Sequence, residues 1–305
     1  METKEMPLLK VYAICFAAMV IGAAISPLIA VLIDMGVDSS VIAFYRLLFL
    51  SFMLCPLVFS KKKNRDNLKN ADKKAWIGII GYSVCKAIGL LLWAEAINAG
   101  GTSFLVGTLG NTSTIFIVLF TYLFLHEKTS KKSLLGIAAC LIGVCTVAIS
   151  NVSEGFGGAA PVIIILLSAM FSSGSTLFAK QATKTVEFFP LITFGYALSC
   201  VFTGVVAAAR GADFSIDLKS GLLMAVLGCV FTLISHSTPT WALKYAKPAS
   251  VSVINLLSPF VTAAYAFVLL QQIPTVPTWI GAVIVAAGLF YYVNTEQKES
   301  IKVKD

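Results

Sequence analysis

Ten apolar stretches fill this chain of 305 residues, and the fourth and fifth of them return as the ninth and tenth. The clearest match sets Gly136 and Gly143 against Gly281 and Gly288, a constant offset of 145. Carried back along the chain, the same offset lays Ser113 on Ser258, Thr114 on Pro259 and Glu127 on Gln272. A unit that crosses a bilayer an odd number of times must have its second copy inserted upside down. Inverted repeats enclosing a midplane site are a common plan of secondary transporters, so the repeat constrains both fold and function.

Apolar residues make up 58% of the chain and charged residues 12%, against about 45–50% and about 25% in soluble domains. Stretches of about 20 apolar residues must satisfy their backbone hydrogen bonds internally in lipid, which selects helix. The spans read as 9–33, 38–60, 75–98, 102–125, 133–150, 159–180, 187–210, 218–243, 248–270 and 275–294. The expected fold is an all-α integral membrane protein with ten transmembrane helices in two inverted five-helix repeats, at 9–150 and 159–294. The spans and short loops use up the length, leaving no room for a soluble catalytic domain.

A net charge of +8 would ordinarily raise the question of nucleic acid, but its distribution argues against that. With both termini inside, nineteen of the 23 basic residues fall on the inner side, Lys61, Lys62, Lys63, Lys73 and Lys74 among them. The outer loops hold Arg210 and Lys219 beside Asp34, Asp38, Glu154, Asp213 and Asp217. This positive-inside bias sets the expected orientation: a multi-pass protein of the cytoplasmic membrane with both termini cytoplasmic. All seven cysteines lie within apolar spans without metal-ligand spacing, so they read as small hydrophobes, and no metal or cofactor is expected. The expected partners are a small-molecule substrate and membrane lipid, with a homodimer allowed and no nucleic acid.

Three charged residues lie well inside spans: Arg46, Lys86 and Glu95. A charge at mid-bilayer costs at least ~2.5–3.5 kcal/mol, so each needs a partner or a wet cavity. Lys86, near the centre of span three, reads as a cationic anchor for an electron-rich group or as half of a structural pair. Nine residues of helix place it roughly 13 Å from Glu95 and on nearly the opposite face, too far for a direct pair. Glu95 reads as a solvated helix-end acid or as a proton-coupling group, and Arg46 as a structural charge. His236, in span eight, is a second proton-coupling candidate or a residue hydrogen-bonded to a neighbour. Tyr82 and Trp93 flank Lys86, while Asn111, Thr114, Ser175, Asn255 and Ser258 supply further polar groups for a site. Ala18, Gly22 and Ser26 in span one, and Ser168, Ser172 and Thr176 in span six, form small-residue packing stripes. Pro27, Pro239 and Pro259 each interrupt a span and are the hinge candidates.

These features resemble the EamA family of ten-helix carriers in the drug/metabolite transporter superfamily. The resemblance runs over nearly the whole chain. It is carried by Phe124-Leu125-His126-Glu127 with Gly136 and Gly143, and by Leu269-Leu270-Gln271-Gln272 with Gly281 and Gly288. Arg46 within Phe44-Tyr45-Arg46-Leu47, Ala94-Glu95-Ala96-Ile97 and Trp241-Ala242-Leu243-Lys244-Tyr245-Ala246 add to it. Gln272, where such proteins often have Glu, is a departure. The resemblance implies a cavity among spans one, three, four, six, eight and nine. The function expected is a carrier working by alternating access, an exporter of amino acids or similar zwitterionic or aromatic solutes. Efflux of drugs or quaternary cations and uptake of an anionic metabolite are the alternative cargoes. A membrane-embedded enzyme or receptor is the alternative class. No GxxxxGK[ST] motif is present, and no nucleophile–base spacing supports an enzyme.

Overall fold

Aspartates and a threonine cap four of the described helices. Asp38 accepts a hydrogen bond from the Ser40 N–H (2.8 Å), Asp72 from Ala75 (3.0 Å), Thr102 from Leu105 (3.2 Å) and Asp217 from Ser220 (3.2 Å). Each satisfies a first-turn donor that has no partner within its own helix. Asp72 and Asp217 stand one repeat offset apart and open spans three and eight. Spans five and ten likewise begin at equivalent positions, Lys131 and Val276. Span three stops at Gly100, whose positive φ of 93° lets the Gly101 N–H turn back to the Ala96 carbonyl (3.0 Å).

The computed structural model describes residues 8–113, 115–117, 119–120, 131–153, 158–183, 185–242, 254–255 and 257–302. Among these, six helices are long and apolar enough to cross a membrane: Leu9–Asp34, Ser39–Phe59, Lys73–Asn98, Ala160–Ala182, Phe188–Ala209 and Leu218–Thr238. Four shorter apolar helices, Ser103–Ile117, Leu135–Val147, Ser258–Leu270 and Val276–Tyr292, occupy the remaining expected positions. The ten-helix membrane fold is therefore as expected. A short polar helix, Lys62–Lys69, stands in the basic loop between spans two and three and was not foreseen. Phe52, Ile142, Ile149, Val201 and Val268 leave large apolar side chains exposed along the outside of the bundle, a surface suited to lipid tails.

The packing follows a pseudo-two-fold scheme. Spans two and seven, four and nine, and five and ten pack as pairs, each made of equivalent members of the two repeats. Span three packs on span six, and its image is span eight on span one. The seam between spans five and ten shows the symmetry at atomic scale. A Cβ on Gly136 would lie 2.8 Å from the Gly288 carbonyl oxygen, and one on Gly143 2.8 Å from that of Gly281. Since Gly136 is equivalent to Gly281 and Gly143 to Gly288, exchanging the repeats turns one contact into the other. Only antiparallel helices about a two-fold axis have that property.

Four spans are discontinuous. Span one is two helices, Leu8–Ala23 and Ile25–Asp34, joined at Ala24. Span four turns at Asn111 and Thr112 after the helix Ser103–Gly110. Span nine restarts at Ser258 after a turn at Leu257, the position equivalent to Thr112. Span eight contains a π-helical segment, Leu227–Thr232, before Leu233–Ala242.

Two of the three prolines lie beside these breaks. Pro27 and Pro259 each stand in the first turn of a new helix, where a missing N–H costs no bond. Pro239 lies inside Leu233–Ala242, beyond the π segment. The freed backbone groups are met from other spans: the Thr262 hydroxyl donates to the Ala23 carbonyl (3.1 Å), and the Ser173 hydroxyl to the Ser113 carbonyl (2.6 Å). Thr114 and Glu127 lie outside the described residues.

Candidate functional site

Span three runs from Lys73 to Asn98, and Lys86 stands at its middle, about 20 Å of helix from its start. Tyr82 lies one turn earlier on the same face. The Lys86 Nζ reaches the His236 Nδ1 of span eight at 3.0 Å. Lys86 is 9% exposed and Arg46 2%. Arg46 of span two is buried in the same bundle, its backbone against Gly228 of span eight, the span that carries His236. Tyr82 and Tyr196 meet with ring centroids 6.4 Å apart, and Ser237 is close to the Tyr196 hydroxyl.

Glycines bring these groups together. A Cβ on Gly228, in the π segment, would lie 2.1 Å from the Arg46 carbonyl oxygen, so spans two and eight touch backbone to backbone. Gly195 gives the Tyr82 ring its place, and Gly22 of span one lies against Ser235, next to His236. The π segment adds a further residue to the helical turn before His236, and such segments occur often at functional positions.

Two ion pairs among the described residues, Lys63–Glu187 (2.8 Å) and Arg210–Glu95 (3.2 Å), lie at helix ends. The Arg46 Nε is buried without a hydrogen-bond partner. Two basic nitrogens 3.0 Å apart can form a hydrogen bond only if one of them offers a lone pair, so Lys86 and His236 share one proton between the facing atoms. The arrangement can therefore hold an anionic or electron-rich group and can take up a further proton.

The other sequence-selected residues lie around this core. The Trp93 indole N–H donates to Ser26 of span one (3.1 Å), and its ring covers Gly110 of span four. Asn111 sits at the span-four turn, with its Nδ2 buried and lacking a partner. Asn255 and Ser258 flank the span-nine break. The Ser175 hydroxyl is spent on the Ser172 carbonyl of its own helix (2.7 Å). Glu95 is held at the far end of span three by Arg210 and by the Ser39 hydroxyl. The small-residue stripes serve as seams: the Ser168 hydroxyl donates to the Gly89 carbonyl (2.7 Å). Sequence reasoning missed Tyr196, Ser173 and Thr262. Of these, Tyr196 alone carried a signal, as a phenol in mid-span.

This bundle has counterparts among known proteins. The profile of the EamA-like transporter family matches residues 9–149 and 159–294, one match to each half. The chain belongs to the EamA-like transporter family. Its relatives include the uncharacterized transporter YdfC of Bacillus subtilis, 25% identical, with 85% of this chain and 84% of the relative covered. An uncharacterized transporter of Synechocystis sp. is 20% identical over 89% and 83%, and one of Archaeoglobus fulgidus 25% over 82% and 86%. A solved protein crystal structure superposes with a TM-score of 0.66 at 11% identity, covering 93% of this chain and 97% of that one. Membership of this family makes the chain a multi-pass membrane transporter.

Proposed function

We propose that this EamA-family chain is a secondary carrier for a small organic metabolite that has one polar head and an apolar or aromatic body. The amino-acid-like solutes expected from the sequence are the first candidates for that cargo. The head is received at Lys86 and His236, and the body rests against Trp93 and the apolar walls of spans one, three and four. The observation that carries this reading is the basic group at mid-span, with Arg46 and Lys86 buried and the half-buried His236 in contact with Lys86, among helices of both repeats. A charge costs so much at that depth that it is retained where something binds it.

Alternating access supplies the mechanism. The broken spans four and nine, discontinuous at equivalent positions, and the distorted spans one and eight are where one repeat can rock against the other. The charge asymmetry of the loops supports insertion in the cytoplasmic membrane with both termini inside. Counterflow in proteoliposomes, with amino acids, organic acids, nucleosides and organic cations as candidates, is the test. Lys86→Gln should lower the flux of the accepted solute tenfold or more, while Lys73→Gln, at the start of span three, should leave it near the parent level. Equal flux in both variants would remove Lys86 from the site.

A further inference from the structure

The short helix Lys62–Lys69, between spans two and three, has no counterpart in the second repeat. The equivalent stretch, 207–214, is a helix end and a loop with one basic residue, Arg210. Residues 61–74 hold seven basic side chains and two acids. Inner charges set orientation wherever they lie in a loop, which does not require them to be held on a helix. This helix is held. Leu68 is buried with Ala75 and Ile79 of span three and Leu191 of span seven. The Asn64 amide donates to the Val58 carbonyl (2.7 Å), and the Asn67 side-chain oxygen accepts from the Glu187 N–H (2.8 Å). Lys63 pairs with Glu187 (2.8 Å). With Leu68, Asn64 and Asn67 turned to the bundle, Lys62, Arg65 and Lys69 share the outward face and are exposed. Asp66 is the one acid of the helix.

We propose that this basic face is a docking surface for the phosphate headgroups of anionic lipids in the inner leaflet. The occupant is a lipid rather than a soluble anion because the adjoining helix surfaces are apolar. Leu57 near the end of span two, and Ile77 and Ile80 near the start of span three, are exposed. The two isoleucines stand about 6 and 10 Å of helix rise from Lys73. An acyl chain lying against these side chains brings its phosphate to the height of Lys62, Arg65 and Lys69. The apolar stems of lysine and arginine can follow the same surface and carry their charges to the phosphate. Each basic residue close to an anionic membrane surface favours binding by about fivefold. The helix touches spans two and three of one repeat and span seven of the other, so a lipid held there also braces the inner ends of both. This surface depends on the inner placement of the loop proposed above, and not on the identity of the cargo.

Native mass spectrometry of the purified full chain in a neutral detergent, titrated with phosphatidylglycerol or phosphatidylcholine, counts bound lipid directly. The parent chain should prefer phosphatidylglycerol about tenfold or more. That preference should shrink as salt rises from about 0.05 M to about 0.5 M. The triple variant Lys62→Gln, Arg65→Gln, Lys69→Gln should lose it. The triple variant Lys128→Gln, Lys131→Gln, Lys132→Gln takes the same charge from the next inner segment of the sequence and should keep it. Asn67→Ala alters no charge but frees the helix from the Glu187 N–H, and should weaken phosphatidylglycerol binding severalfold. That variant decides the matter even if the helix triple fails to fold. An undiminished preference in the helix triple or in Asn67→Ala, or an equal loss in both triples, would overturn the proposal. So would glycerol phosphate binding as tightly as the lipid, the mark of a soluble-anion site. Solute flux in a chain without the lipid preference would refute this inference and leave the carrier reading standing. A lipid preference without any solute flux would do the reverse.

Discussion

Replacing Gly228 with alanine puts a methyl group where the Arg46 carbonyl oxygen already is. The new Cβ would lie 2.1 Å from that oxygen and 3.3 Å from the Arg46 Cα, whereas ordinary contact begins at 3.4 Å. Both neighbours are backbone, so no side chain can rotate away, and spans two and eight must part by about 1 Å. Overpacking of this kind costs about 1–3 kcal/mol. Alanine's better helix propensity returns about 1 kcal/mol, leaving a net loss of up to about 2 kcal/mol. Gly174→Ala in span six is the matched control. Its nearest neighbour is the Cys85 Sγ at 3.4 Å, so it keeps the propensity gain with little clash. Melting of the purified variants in one detergent should rank Gly228→Ala below the parent and Gly174→Ala level with it or above. Affinity for the accepted solute should fall in Gly228→Ala alone, because Arg46 moves with its carbonyl. A Gly228→Ala protein as stable as Gly174→Ala would refute the close approach of spans two and eight.

Gln271 ends span nine in the left-handed region, with φ of 54°, so Gln271→Gly should stabilise the protein by about 1 kcal/mol; a lower melting temperature would contradict that. The Glu95–Arg210 pair is partly solvated, its side chains 27% and 50% exposed. Glu95→Gln should therefore cost at most about 1 kcal/mol, and a loss above about 3 kcal/mol would mark the pair as buried. At Asp38 partial burial alone would raise the carboxyl, but the hydroxyl and N–H of Ser40, the Val41 N–H and the Arg210 charge outweigh it and lower the pKa below 3.8. A depressed carboxylate contributes stability above its ordinary value and loses it as the pH falls through the folded one. Asp38→Ala should thus melt lower at neutral pH, by about 1 kcal/mol for a lost cap, and the gap should close on acidification below 3.8. A gap constant over that range would refute the linkage.

The repeat was legible because it is written in residue types that have few other uses. Gly136, Gly143, Gly281 and Gly288 stand where backbones touch, and no larger residue fits there. Asp72 and Asp217 are caps, and a cap marks a helix start in any sequence. The site was legible only in pieces. Lys86 and His236 were each singled out, yet their contact was not, because hydropathy gives depth in the bilayer but not the rotation of one helix against another. Arg46 was read apart from them for the same reason. The broken spans were half visible: Pro27 and Pro259 lie just past real discontinuities, but the turn at Asn111 and Thr112 has no proline to announce it. There the Ser173 hydroxyl from another span donates to the Ser113 carbonyl, a long-range bond that local sequence cannot show.

The seam of four glycines has a consequence for the ancestry of such chains. Its two contacts are what a half-length protein would make with a second copy of itself lying head to tail, each subunit giving the same patch. Such a dimer requires its gene product to settle in the membrane both ways up. Fusing two copies removes that requirement, since an odd number of crossings forces the orientations to differ. Once joined, the halves are free to diverge, and in this chain Lys86 and His236 stand on opposite repeats, with Phe231 and Leu91 at the equivalent positions.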